Sequence, residues 1–185
     1  RPFVERIERG NWHDPLLKQI WPAIEEQSKS ESFVTDPLDE QNFNPVPGLL
    51  HKYQGRVLLT AAPHCAIHCR YCFRRHFDYR ANSPSRKQWD SAFSYIAEDS
   101  SIEEVILSGG DPLALSDRQF SWLMQQLAGI EHLTAVRIHS RLPIVIPRRV
   151  TAELLQCLSE SRLRIVMVVH CNHARELDTA VADGF

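Results

Sequence analysis

Three cysteines fall within eight residues, at Cys65, Cys69 and Cys72. Thiols spaced by four and then three positions in one short loop can turn toward a common metal centre, and thiolate is the soft ligand that both zinc and iron-sulfur clusters take. An iron-sulfur cluster ordinarily uses four cysteine ligands. Three leave one iron with an open position, which is what separates a reactive metal site from a closed structural one. Zinc is the competing reading, with His64, His68 or His76 completing a Cys₃His set. Structural zinc sites usually join two separated knuckles, however, and only one is present here. Free thiols crowded this closely would have no packing rationale.

Three further groups of chemistry-bearing residues each come directly after a short apolar run. Gly109-Gly110-Asp111-Pro112 succeeds residues 105–108, His139-Ser140-Arg141 succeeds 135–138, and His170-Cys171-Asn172-His173 succeeds 165–169. Gly-Gly-Asp-Pro alone reads as a turn. Its repeated kind of placement gives it weight, because glycines at a strand end let backbone come close to a ligand. His170 and His173 read equally well as hydrogen-bonded wall residues. Arg70, Arg74, Arg75, His76 and Arg80 make the flank of the cysteines basic. Nucleic acid would explain them poorly, since the chain as a whole carries a net charge of −2. The plain alternative is a surface patch.

A strand-then-helix rhythm must position these groups. Strands are expected at 57–62, 105–108, 135–138 and 165–169, the last an unbroken β-branched run suited to burial on both faces. Between them, capping boxes at 85–88 and 116–119 open helices carrying Trp89, Phe93 and Ile96, then Phe120, Leu123, Met124 and Leu127 as far as Gly129. Thr151 caps a helix with Leu154, Leu155 and Leu158, and a last helix is expected over 174–182. The result is an α/β fold of about four parallel βα units, curving by right-handed crossovers into part of a barrel. A closed eightfold barrel takes about 250 residues, so 185 make an arc. In such folds the chemistry sits at the carboxyl ends of the strands, where all four groups fall. Residues 1–55 have no strong period. Trp12, Leu16, Leu17, Ile20 and Trp21 suggest one short helix before Pro22, and prolines 37, 45 and 47 punctuate the stretch beyond it, so 1–55 reads as a helical and irregular collar without sheet, with 56–185 as the barrel portion.

The 43% apolar and 24% charged composition is that of an ordinary globular chain, and no apolar run nears the roughly 20 residues that span a bilayer. No signal peptide is expected at its head. An odd five cysteines, three of them together, argue against a disulfide framework and for a reducing compartment, so the expected location is the cytoplasm, without membrane or nucleic-acid partners. A start at Arg1 and an end at Asp183-Gly184-Phe185, where a helix stops, suggest that both ends are cut.

The Cys-x3-Cys-x2-Cys spacing resembles that of the radical S-adenosylmethionine (radical SAM) enzymes, and the surrounding text resembles their lysine 2,3-aminomutase branch. Arg1-Pro2-Phe3-Val4-Glu5-Arg6-Ile7-Glu8 and Pro47-Gly48-Leu49-Leu50-His51-Lys52-Tyr53 are similar to the members whose β-lysine product modifies translation elongation factor P. The resemblance implies a partial barrel of about six units, two of them absent here. It implies that Cys65, Cys69 and Cys72 hold a 4Fe-4S cluster, shielded by Ile67, Tyr71 and Phe73. S-adenosylmethionine would chelate the open iron, be held by Gly109, Gly110 and Asp111, and be lined by Ser140, Arg141 and His170. An electron from the cluster would cleave it to a radical that takes hydrogen from the substrate. Arg74 matches the position that fixes the substrate carboxylate, and Arg56 one that contacts the phosphate of pyridoxal phosphate. Lys52 falls where relatives often carry a second arginine. The lysine that forms the Schiff base with pyridoxal phosphate, and the acidic residues that bind the substrate's distant ammonium, have no counterpart here. None of Lys18, Lys29, Lys52 or Lys87 sits in that motif. The implied activity is an isomerase converting L-α-lysine to β-lysine, with an electron donor protein and a functional link to elongation factor P and its lysylating enzyme. The alternatives are a metabolic lysine or glutamate aminomutase of the same branch, or a non-catalytic zinc-bearing adaptor.

Overall fold

The computed structural model describes residues 2–28, 34–79, 82 and 86–184, the side chains of 86–88 excepted. The expected capping box at 85–88 and Arg80 of the basic group lie outside the described residues, as do Lys29 and the side chain of Lys87. Two single-turn helices begin the chain, α1 (Pro2–Glu5) and α2 (Pro15–Lys18). Asp14 caps α2 by accepting from the N–H groups of Leu16 and Leu17, which limits the helix expected from Trp12 to Trp21 to one turn and leaves both tryptophans exposed. Their rings meet edge to face at 6.0 Å.

Five strands succeed one another in sequential order across one open sheet: β1 (Leu49–Tyr53), β2 (Arg56–Ala62), β3 (Glu104–Gly109), β4 (Ala135–Ser140) and β5 (Arg164–Val169). All pairs are parallel except β1 with β2, an antiparallel hairpin turned at Gln54-Gly55. β1 corrects the expectation that residues 1–55 contribute no sheet. Gly48 and Gly55 both have positive φ (+82° and +77°), so the chain enters and leaves β1 through turns that glycine makes cheaply. The nearby prolines had masked that signal.

Helices α3 (Arg86–Glu98), α4 (Asp117–Ala128) and α6 (Ala152–Ser159) make the parallel crossovers, and the four-residue α5 (Leu142–Val145) comes directly after β4. Ser116 and Gln119 form the anticipated capping box, and Thr151 caps α6 through Leu154 N–H. The main core lies between these helices and one face of the sheet. Val57, Leu59, Val105, Leu107, Val136 and Ile138 meet Trp89, Ile96, Phe120, Leu123, Leu127 and Leu154 there. Side chains alternate along a strand, so the intervening residues, among them Leu58, Ile106, Ser108 and His139, turn to the opposite face.

Two elements differ from expectation. β5 was expected to be buried on both faces, yet Val166 is exposed and Ile165, Met167, Val168 and Val169 are half-buried, because β5 is an edge of the sheet. The helix expected over 174–182 is a 3-10 turn, Ala174–Glu176, and then the short α7 (Thr179–Ala182). Asp178 divides them by capping α7 through Val181 N–H at 3.0 Å. No helix among the described residues is long and apolar enough to cross a membrane.

Candidate active site

The loops at the carboxyl ends of β2, β3, β4 and β5 enclose a cavity of about 470 Å³, within the range of small-molecule sites. Cys65, Cys69, Cys72, Gly109, Gly110, Asp111, His139, Ser140, Arg141 and His170 all line it, and Arg74 joins them. Arg56 does not. It starts β2, at the far end of that strand from the cysteine loop, and lines a second cavity of about 130 Å³ with Lys52, Glu40 and Arg74.

The glycines bring two loops together. A Cβ on Gly110 would stand 2.4 Å from the carbonyl oxygen of Ala62 and 2.5 Å from that of His64, and one on Gly109 (φ +97°) would stand 2.6 Å from Thr60 Cγ2. Gly110 N–H donates to Ala62 O at 3.0 Å and Asp111 N–H to His64 O at 2.9 Å, stitching the Gly-Gly-Asp turn to the entry of the cysteine loop. Tyr79 Oη fixes the same turn by donating to Gly109 O at 2.7 Å. The sequence reading overlooked Tyr79. Buried Asp111 then reaches the next loop: its carboxylate accepts from Leu113 N–H, Ser140 Oγ at 2.7 Å, Arg141 N–H at 2.8 Å and Leu142 N–H. Asp111 and Ser140 therefore hold the rim of the cavity in shape.

Arg141 is buried with its guanidinium between the rings of Phe3 and Tyr71, 5.2 and 5.7 Å away. Its Nη1 donates to Cys69 Sγ at 2.9 Å, and its Nη2 to Gln19 Oε1 and, at 3.3 Å, to Glu176 Oε2. Arg141 Nε and His139 Nε2 are buried donors or acceptors without a partner among the described residues, and both side chains border the cavity. Burial first, then His170 and Arg137, push His139 below its ordinary value, so the ring is neutral near pH 7. His173 accepts from Arg175 N–H and serves the turn after β5.

The basic flank is neutralised from the collar. Arg70 and Arg75 both pair with Glu26, and buried Arg74 makes a two-pronged contact with buried Glu40 through Nε at 2.8 Å and Nη2 at 2.5 Å. Arg74 Nη1 reaches Ser108 Oγ at 3.3 Å on the cavity side. Arg56 is half-exposed and 4.0 Å from Glu104, which Arg137 holds at 2.8 Å. Glu40, Gln19 and Glu176 escaped the sequence reading because their partners lie far along the chain and no local spacing announces them.

The donor set suits a multi-iron cluster. Burial, then Asp111, Cys69 and Cys72, push the Cys65 thiol up to about 12, the mark of thiols gathered where only a cation would let them ionise together. Among the described residues no three His, Cys, Asp or Glu side chains gather about the position of a single ion, so the Cys₃His zinc set is not assembled. A cluster asks less, since each thiolate binds a different iron. Unpaired Arg141 Nε fits an anionic group beside it. At the second cavity Lys52 donates to Leu38 O and lies 5.2 Å from the Phe43 ring, and half-exposed Arg56 also lines it.

The model of the Radical SAM superfamily matches residues 59–168. Curated proteins named L-lysine 2,3-aminomutase are similar over nearly the whole chain. That of Haemophilus influenzae is 50% identical over 182 residues, 98% of this chain and 54% of its own length. That of Escherichia coli is 49% identical over 178 residues, 96% and 52% of the two chains, and that of Clostridium subterminale 36% over 176 residues, 95% and 42%. The chain thus spans about half the length of the curated relatives it matches.

Proposed function

This chain belongs to the radical SAM superfamily, and from that premise we propose that it is part of an L-lysine 2,3-aminomutase, an isomerase that moves the α-amino group of lysine to the β-carbon. The carrying observation is the convergence of the three-cysteine loop, the Gly-Gly-Asp turn, Arg141 and His170 on one cavity. When bound, the cluster and S-adenosylmethionine supply one-electron cleavage to a hydrogen-abstracting carbon radical, and pyridoxal phosphate supplies the delocalisation that lets nitrogen migrate. Cys65, Cys69 and Cys72 hold the cluster. The Gly109–Gly110 backbone and the free Nε edge of Arg141 take the polar end of S-adenosylmethionine, with Asp111 and Ser140 fixing their loops. Ile67, packed against Phe3, Leu16 and Val145, closes the cavity toward the collar and keeps water away.

Arg74 has two faces to offer. Glu40 occupies its Nε side, and the Nη1 side beside Ser108 remains for the substrate carboxylate, so Glu40 aims the fork at the cavity. Arg56 binds the phosphate of pyridoxal phosphate. The fuller reading assigns the β-lysine to modification of elongation factor P in the cytoplasm, with a protein electron donor.

The test uses the full-length enzyme purified without oxygen. About four irons and four sulfides per chain, release of 5′-deoxyadenosine on reduction with S-adenosylmethionine, and conversion of lysine but not glutamate to its β-isomer are expected. Zinc without sulfide, and no nucleoside from folded protein, would overturn the reading.

A further inference from the structure

We propose that the buried Arg141–Glu176 pair tunes the cluster: Glu176 fixes the guanidinium where it donates to the Cys69 sulfur, and cancels its charge there. The inference rests on the cluster reading above. Glu176 lies on the 3-10 turn after β5 and is completely buried. Its Oε1 accepts from Gln19 Nε2 at 2.8 Å, and its Oε2 from Arg141 Nη2 at 3.3 Å. A carboxylate and a guanidinium so buried are stable only as a pair.

The pair is built from three distant segments. Gln19 bridges both partners, its oxygen accepting from Arg141 and its amide donating to Glu176, while the rings of Phe3 and Tyr71 confine the guanidinium plane. Nη1 is thereby directed at Cys69 Sγ, 2.9 Å away, while Nε stays free toward the cavity.

A cationic hydrogen-bond donor at a cluster ligand favours the more negative, reduced cluster and so raises its potential. An adjacent carboxylate opposes that effect. Glu176 therefore keeps the donor while holding the potential low, the condition for a cluster that must reduce a sulfonium.

The measurement is a potentiometric titration, monitored by electron paramagnetic resonance, of full-length enzyme reconstituted without oxygen and without S-adenosylmethionine. Iron, sulfide and the resonance spectrum are recorded first for every protein. Glu176→Gln keeps the shape and one accepting oxygen but removes the charge, and is expected to shift the potential positive. The double variant Arg141→Met with Glu176→Gln removes donor and charge together and is expected to shift it negative. If Glu176→Gln does not fold, as judged by circular dichroism, the double variant carries the test, since it leaves no unpaired buried charge. Wild-type potential in the folded, cluster-loaded variants would overturn the inference and leave the enzyme reading standing. A wild-type protein that assembles no cluster would overturn both.

Discussion

Arg74 and Gly110 show how closely single residues are committed. Removing Glu40 as Glu40→Ala strands a buried guanidinium and is expected to cost about 3–5 kcal/mol. Glu40→Gln leaves an acceptor and costs less, and exchanging both partners for methionine restores most of the loss; urea unfolding ranks the three. Gly110→Ala places a methyl against two backbone carbonyls that cannot rotate away. Its expected cost is about 1–3 kcal/mol of overpacking, with the damage concentrated in the cysteine loop, so iron content on reconstitution should fall further than helical content by circular dichroism. The cysteines, the glycines and Arg141 were legible in sequence because their types and local spacing are unusual. The purpose of the glycines was not, since what they accommodate is backbone of the other loop, from Ala62 to His64.

Among elements, the collar acts as a strap. Arg6 pairs with Asp178, Asp14 with Arg175 and Gln19 with Glu176, so α1 and α2 are fastened to the segment after β5 across more than 150 residues of sequence. Asp14 is held well below its ordinary value of 3.8: burial opposes ionisation, but the Glu8 N–H, the Arg175 guanidinium and the N–H groups of Leu17 and Leu16 outweigh it. A depressed carboxylate stabilises the fold above its unfolded pKa, and the contribution is lost as pH falls below 3.8 toward the native value. Asp14→Asn is therefore expected to flatten the acid limb of stability against pH below about 4, read by thermal unfolding across that range. Hydrophobic periods disclosed the parallel strands and α4 and α6, whose signals are local. The strap could not be read that way, nor could β1, whose hairpin depends on two glycines among prolines.

At the scale of the molecule, helices cover one face of the sheet and the other face carries both cavities, the larger at the carboxyl ends of the strands and the smaller toward their beginnings. Leu58, Ile106 and Arg74 border both. That shared wall is expected to link the two chambers thermodynamically once each holds a ligand. An anion drawn to Arg74 from one side changes the field and the fork geometry that the other side meets, and linkage requires the effect to be reciprocal. On the proposed function, pyridoxal phosphate is expected to change lysine affinity in the full-length protein, lysine changing pyridoxal phosphate affinity by the same factor. Calorimetry on Arg74→Lys, which replaces the fork by a point charge, should find that shared factor reduced toward one. On the proposed function, a guanidinium placed in the partition is expected to report each compartment to the other.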